Sequence, residues 1–238
     1  MKTKILVFLL LVILSIGAQA QYSIGMSGLL NMGNAEMNET GTFMGGGNFI
    51  PQEMTNGRFD YNTANYFVSI TFFSFLEASY SCMLFKAELY GQEAKLNQQD
   101  RSFSLKIRPL KEGKYHPAIA IGTNDPFSEA SGENYLSKVY GMATKTFDLG
   151  RGNRIAATAG YYYPLKQKAM LRTHDGICGG ISYTPGFCQE LKVMAEYDSK
   201  RFNIGAAVRL WKHLSVHAFT SDFNCIAGGV RYECTLIH

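Results

Sequence analysis

RSFSLKIRPLKEGKYHPAIAIGTNDPFSEASGENYLSKVYGMATKTFDL, residues Arg101 to Leu149, contains three alternating segments, a tight turn at Lys111-Glu112-Gly113-Lys114 and one long polar loop. In its first segment Phe103, Leu105 and Ile107 alternate with Ser104, Lys106 and Arg108. Residues two apart share a face of a strand, so this is a two-faced β-strand. An apolar face backed by lysine and arginine suits a half-buried soluble sheet. It equally suits a membrane barrel with lipid outside and a polar lumen. The rest of the chain decides between the two.

Upstream, Lys2 and Lys4 precede an apolar stretch from Ile5 to Ile16, followed by Ala18-Gln19-Ala20. That stretch is shorter than the roughly 20 residues a spanning helix needs. Basic start, short apolar core and small residues at the cleavage positions predict a secretory signal peptide over residues 1–20. After it no apolar run reaches spanning-helix length, which excludes a helical membrane protein, whereas barrel strands need only about 9–11 residues each. The formal charge of +4 is too small to imply a nucleic-acid partner. The odd set Cys82, Cys178, Cys188, Cys225 and Cys234 has no metal-ligand spacing and suggests no obligatory disulfide framework.

Residues 21–40 are glycine-punctuated and poorly periodic, and read as an N-terminal leader packed against or inside the fold, a plug-like segment. From residue 41 to 238 the chain repeats an alternating segment followed by a turn or loop. Twelve segments are expected, near 41–50, 64–73, 75–87, 102–110, 114–123, 136–147, 153–163, 177–184, 190–198, 201–211, 213–221 and 225–236. Connections on one side are short, such as Phe73-Ser74-Phe75 and Trp211-Lys212. Those on the other are mostly long and polar, such as Pro51 to Thr63 and Leu165 to Gly176. Up-and-down outer-membrane barrels sort their connections this way, with short periplasmic turns and longer extracellular loops. The fold class expected is therefore all-β: an antiparallel up-and-down transmembrane β-barrel of about twelve strands. Aromatic belts are expected from Tyr161-Tyr162-Tyr163, Phe72, Phe73, Phe75, Tyr197 and Trp211. A soluble periplasmic sandwich is the competing fold.

Alternation directs Glu77, Lys106, Arg108, Lys145, Arg154, Lys192, Glu196, Asp198, Arg209, Arg231 and Glu233 into the lumen. They serve either as a paired, lumen-filling set or as a polar pathway, and the size of a twelve-stranded barrel favours filling. In the loops Tyr61, Tyr90, Asn124, Asp125, Phe127 and Tyr135 combine rings and amides suited to sugar stacking and hydroxyl recognition. His213 and His217 would stand about 13 Å apart on one strand, too far to share a metal. His174 and Asp175 have no accompanying nucleophile motif. Neither a catalytic site, nor a metal, nor a cofactor is expected.

The stretch Leu110-Lys111-Glu112-Gly113-Lys114-Tyr115-His116-Pro117-Ala118-Ile119-Ala120-Ile121-Gly122, followed by Asn124-Asp125, resembles the YjbH family. So do Tyr140-Gly141-Met142-Ala143-Thr144-Lys145, Met194-Ala195-Glu196-Tyr197-Asp198 and Asn203-Ile204-Gly205-Ala206. Gly25-Met26-Ser27-Gly28-Leu29-Leu30, with Ala35-Glu36-Met37, is similar to the family's N-terminal motif. That motif usually carries a proline before its small residue, where Met32-Gly33-Asn34 stands here. The resemblance implies an outer-membrane barrel of a Gram-negative bacterium and a non-enzymatic accessory role in exopolysaccharide production, secretion or surface attachment. Outer-membrane lipid, exopolysaccharide and its secretion proteins would be the partners. A small passive channel, or a barrel enzyme acting on lipid or glycan, are the alternatives.

Overall fold

The computed structural model describes residues 23–55, 57–87, 93, 95–126, 137–165 and 174–236. The expected signal peptide lies outside them. Twelve strands follow in order: β1 (Thr42–Ile50), β2 (Thr63–Phe73), β3 (Leu76–Ala87), β4 (Lys95–Leu110), β5 (Ala118–Asn124), β6 (Lys138–Gly150), β7 (Asn153–Pro164), β8 (Gly176–Thr184), β9 (Leu191–Tyr197), β10 (Phe202–Arg209), β11 (Leu214–Ser221) and β12 (Cys225–Thr235). Each pairs antiparallel with its neighbours, and β1 closes on β12 in a register running from Thr42 opposite Thr235 to Phe49 opposite Gly228. The result is a closed up-and-down barrel without an exposed edge, which removes the unpaired backbone groups that an open sheet would present.

The alternation fixes which way each strand faces. In β2, Thr63, Asn65, Phe67, Ser69 and Thr71 are buried, while Tyr66, Val68 and Phe72 are exposed. In β9, Lys192, Met194 and Glu196 are buried and Val193 and Tyr197 face outward. A band of outward Ile107, Ile121, Ile181, Val193 and Ile204 rings the middle of the wall. Phe72, Phe73, Phe75, Phe147 and Trp211 are exposed at the end with short turns. Tyr161, Tyr163, Tyr197, Phe202 and Phe223 are exposed at the end with loops. An apolar band between two aromatic girdles is the exterior of a barrel solvated by lipid.

Three boundaries and one belt residue differ from the sequence-based expectation. β4 begins at Lys95, well before residue 102, because Lys95–Asp100 pair with the end of β3 although they lack apolar alternation. A strand that rises beyond the lipid needs no apolar face. β5 begins only at Ala118 because Pro117 has no N–H to give a ladder. β6 runs on to Gly150, where Asp148 accepts a hydrogen bond from the Gly150 N–H at 2.7 Å and Arg151 and Gly152 turn with positive φ. Tyr162, expected in the belt with its neighbours, is fully buried, since it alone of the three tyrosines points inward.

The interior is occupied by the leader. Residues 23–41 start at the loop end, where the Ser23 carbonyl accepts hydrogen bonds from Asn48 and Asn65. They descend to the level of Glu77, return to Asp198 through a tight reversal (Gly28 bridged to Gly33), and descend again to join β1. Leu29, Leu30, Met32 and Ala35 form an apolar centre with inward Ala120, Tyr140, Met142, Tyr162, Cys178, Met194 and Phe219. Two glycines make room. Gly25 has φ +90°, and a Cβ on it would lie 2.4 Å from the Phe67 ring; one on Gly180 would lie 2.7 Å from Leu29. The five cysteines form no disulfide.

If the Ile181 level faces hydrocarbon, Ile181→Arg should destabilise the barrel by about 2–4 kcal/mol. Urea unfolding in lipid vesicles measures this, and an unchanged midpoint would contradict a lipid-facing wall.

Candidate functional site

A chain segment threaded through a lumen cannot satisfy its backbone by joining the sheet. Its N–H groups need partners, because a buried unpaired donor costs about 1–3 kcal/mol. The wall supplies them. Glu77, on β3, accepts from the Ser27 N–H at 2.9 Å and from the Ser27 hydroxyl at 2.7 Å. Lys106, directly opposite it on β4, lies 2.9 Å from the same carboxylate. Its ammonium also donates to the Ser27 and Glu36 carbonyls, each at 3.0 Å. Both side chains are fully buried, and all three ammonium donors are used.

Glu196 forms the second anchor. It accepts from the Leu30 N–H at 2.9 Å, the Asn31 N–H at 2.6 Å and the Asn203 amide at 2.9 Å. Asp198 accepts from the Asn31 amide at 2.6 Å and, with its other oxygen, from the backbone N–H of Lys200 and Arg201. Between the anchors the Gly33 N–H donates to the Tyr162 hydroxyl at 3.0 Å and the Ala35 N–H to the Thr144 hydroxyl at 2.9 Å. Lys138 and His174 close the loop end: their nitrogens are 2.5 Å apart, and the other His174 ring nitrogen is 3.1 Å from the Asn31 carbonyl. Burial, aided by the Lys138 charge, holds His174 well below the usual imidazole range, so the ring is neutral.

The remaining expected lumen residues divide by depth. Lys192 pairs with Glu36 of the leader at 3.3 Å. Glu233 pairs with Arg209 and, at 3.4 Å, with Arg231. Arg154 faces inward only at the rim, where it donates to Gln189, and Arg108 donates to the Ser74 carbonyl, closing the β2–β3 turn. Lys145 is a correction. It shares a face with Ala143 and Phe147, so it points outward, and it reaches the β5 side to pair with Glu112 at 2.9 Å. A cation is tolerated there because the strand has already reached the turn.

The loop set is also revised. Asn124 is fully buried inside the barrel at the end of β5 and is no loop contact. Asp125 is half-buried with φ +48°, its N–H donating to the Phe103 carbonyl at 2.6 Å. Tyr61 stacks on Phe59 with centroids 5.1 Å apart, and its hydroxyl accepts from the Lys86 N–H. Tyr90, Phe127 and Tyr135 lie outside the described residues. Sequence reasoning missed Ser27, Lys138, Tyr140 and Asn203 as interior contacts, placed Tyr162 in the belt and weighed His174 only as a catalytic residue. Lys138 had a signal, since it shares the period-two register of Tyr140, Met142 and Thr144.

Two outcomes follow. Lys106→Met leaves Glu77 buried without its cation and should cost about 3–5 kcal/mol. Adding Glu77→Gln, which keeps an acceptor for Ser27, should recover much of that loss; equal loss in both, by urea midpoint and by protease cutting of residues 23–41, would remove this anchor from the account. Burial pushes the Glu112 carboxyl up, but the Lys145 ammonium and the Thr146 N–H outweigh it and hold it below the usual carboxylate range. The Glu112 contacts therefore stabilise the turn fully above the ordinary carboxylate pKa and are lost as pH falls through the lower, folded value. The protection factor of the Thr146 amide, its exchange rate relative to the intrinsic rate at each pH, should fall on acidification in the native protein and lose that pH dependence in Glu112→Gln.

Among known proteins, the YjbH family pattern, described as "Exopolysaccharide biosynthesis protein YbjH", matches residues 20–236. No curated protein matches the chain significantly. Among solved structures, a KdgM porin is 10% identical with TM-score 0.47, covering 83% of this chain and 99% of its own. Outer membrane phospholipase A from Escherichia coli is 10% identical with TM-score 0.36, covering 84% and 98%. The calcium-bound phospholipase dimer from Salmonella typhi is 10% identical with TM-score 0.36, covering 81% and 88%. With its family pattern running through the leader, the anchors and all twelve strands, this chain belongs to the YjbH family.

Proposed function

We propose that this barrel resides in the outer membrane as a non-enzymatic accessory to exopolysaccharide production, secretion or surface attachment. Family membership supplies the exopolysaccharide connection. The observation that carries the accessory reading is the filled lumen: the leader crosses it and is bound to the wall at Glu77–Lys106 and at Glu196. A polymer has no path through a barrel in this state, so its contacts with saccharide belong at the two ends. The same filling argues against a passive channel. Against an enzyme stands the His174 ring, whose two nitrogens are engaged by Lys138 and the Asn31 carbonyl as part of the leader's attachment to the wall.

Removal of the gene should lower cell-attached or secreted polysaccharide, and the intact gene should restore it, measured as total acidic and neutral sugar in culture fractions. Unchanged sugar in every fraction would sink the accessory role. The purified protein in planar bilayers should show no steady open level. A stable conductance proportional to salt concentration would favour the channel.

A further inference from the structure

The leader does not fill the barrel to both ends. At the turn end its final stretch narrows to a single strand of chain approaching β1, and a cavity of about 370 Å3 is left between it and the walls of β6 to β12. Ligand pockets fall in the range of about 300–1,000 Å3. The cavity is open, polar and basic: four cations line it against three carboxylates. Two of those carboxylates are already spent, Glu36 on Lys192 and Glu233 on Arg209 and Arg231. Arg154 and Lys212, by contrast, form no ion pair among the described residues. Two wall hydroxyls, Ser182 and Thr184 on β8, face the same space and make no side-chain hydrogen bond among the described residues.

Cations without a carboxylate partner beside hydroxyls without a side-chain hydrogen bond among the described residues, in a cavity of sugar-binding size, are the complement of one chemistry; the Gln189 contact occupies only one nitrogen of Arg154. We propose that this vestibule is a binding site for an acidic saccharide, with Arg154 and Lys212 taking the carboxylate and Ser182 and Thr184 the ring hydroxyls. The planar guanidinium of Arg154 suits a carboxylate held by two parallel hydrogen bonds. Glu36 forms the floor through its pair with Lys192, so the ligand rests on the leader without displacing an anchor at Glu77 or Glu196. The site lies at the end with short turns, which places it on the side facing the periplasm. The biological source of the sugar rests on the exopolysaccharide reading above; the site itself rests on the cavity alone.

The test is calorimetric titration of the full chain in detergent micelles with three probes: a hyaluronan tetrasaccharide, which carries glucuronate; maltotetraose, which is neutral; and sodium sulfate. The acidic tetrasaccharide should bind at least about tenfold more tightly than maltotetraose, the increment of one charge-assisted hydrogen bond. Arg154→Gln with Lys212→Gln should abolish that preference while heat-modifiable gel mobility stays unchanged. Ser182→Ala with Thr184→Val should weaken the tetrasaccharide severalfold and leave sulfate unaffected. The proposal is overturned by any of three results: no binding of the acidic probe, equal binding of the neutral one, or sulfate binding as tightly as the tetrasaccharide with no effect of the hydroxyl variants. These outcomes are independent of the polysaccharide yield in cells, so failure here and failure of the accessory role are told apart.

Discussion

Ahead of Gly41, whose N–H already reaches the Thr71 carbonyl of β2, the leader backbone adds no strand to the wall, and the rest of the interior is arranged around that constraint. Ser27, Leu30, Asn31, Gly33 and Ala35 each present an N–H to the wall, and each finds a side-chain acceptor there. Two of the acceptors are carboxylates, which take several donors at once and bind them more strongly than a neutral group. A carboxylate in so enclosed a place is costly unless compensated. At Glu77 the compensation is a lysine directly across the strand pair; at Glu196 it is three N–H donors converging on two oxygens.

The wall therefore answers to two apolar environments. Outside, the exposed band that includes Ile121, Ile181, Val193 and Ile204 suits lipid. Inside, a wholly polar face would leave Leu29, Leu30 and Met32 without partners, so the inward register carries Tyr140, Met142, Tyr162 and Met194 opposite them. The polar groups then sit where the leader's backbone comes close. An inward face that is apolar in one patch and charged in others is what a barrel with a folded filling requires, and it differs from the water-lined interior of a porin.

This explains what was legible. Period-two alternation in β2, β9, β10 and β11, together with short and long connections sorted by side, is a property of local sequence, and it specifies strands, faces and closure without reference to the filling. The partner of an inward side chain is not a local property. Nothing near Glu196 in sequence announces Leu30 or Asn31, more than 160 residues away. Lys145 was misdirected for a related reason: the rule that charge faces the lumen holds only at lipid depth, and Lys145 stands at the turn, where water and Glu112 meet it. Tyr162 was misdirected by the opposite shortcut, since three consecutive tyrosines cannot all face the same side of a strand.

The two ends of the barrel differ because the leader enters at one and joins the wall at the other. At the loop end, Ser23, Asn31 and His174 knit the leader to Asn48, Asn65, Asp198 and Lys138. At the turn end the chain must straighten to become β1, and a single extended strand cannot occupy the width of a twelve-stranded barrel. Space is left there by geometry, and charged walls keep it wet. Emptying the whole lumen is a different matter. Withdrawing Ser27 strips Glu77 of two donors, and withdrawing Leu30 and Asn31 strips Glu196 of two more. Because both anchors grip one continuous segment folded back on itself, neither is easily released without straining the other. The filled lumen is thus tied at both anchors to one segment, and the open vestibule adjoins that segment at the turn end.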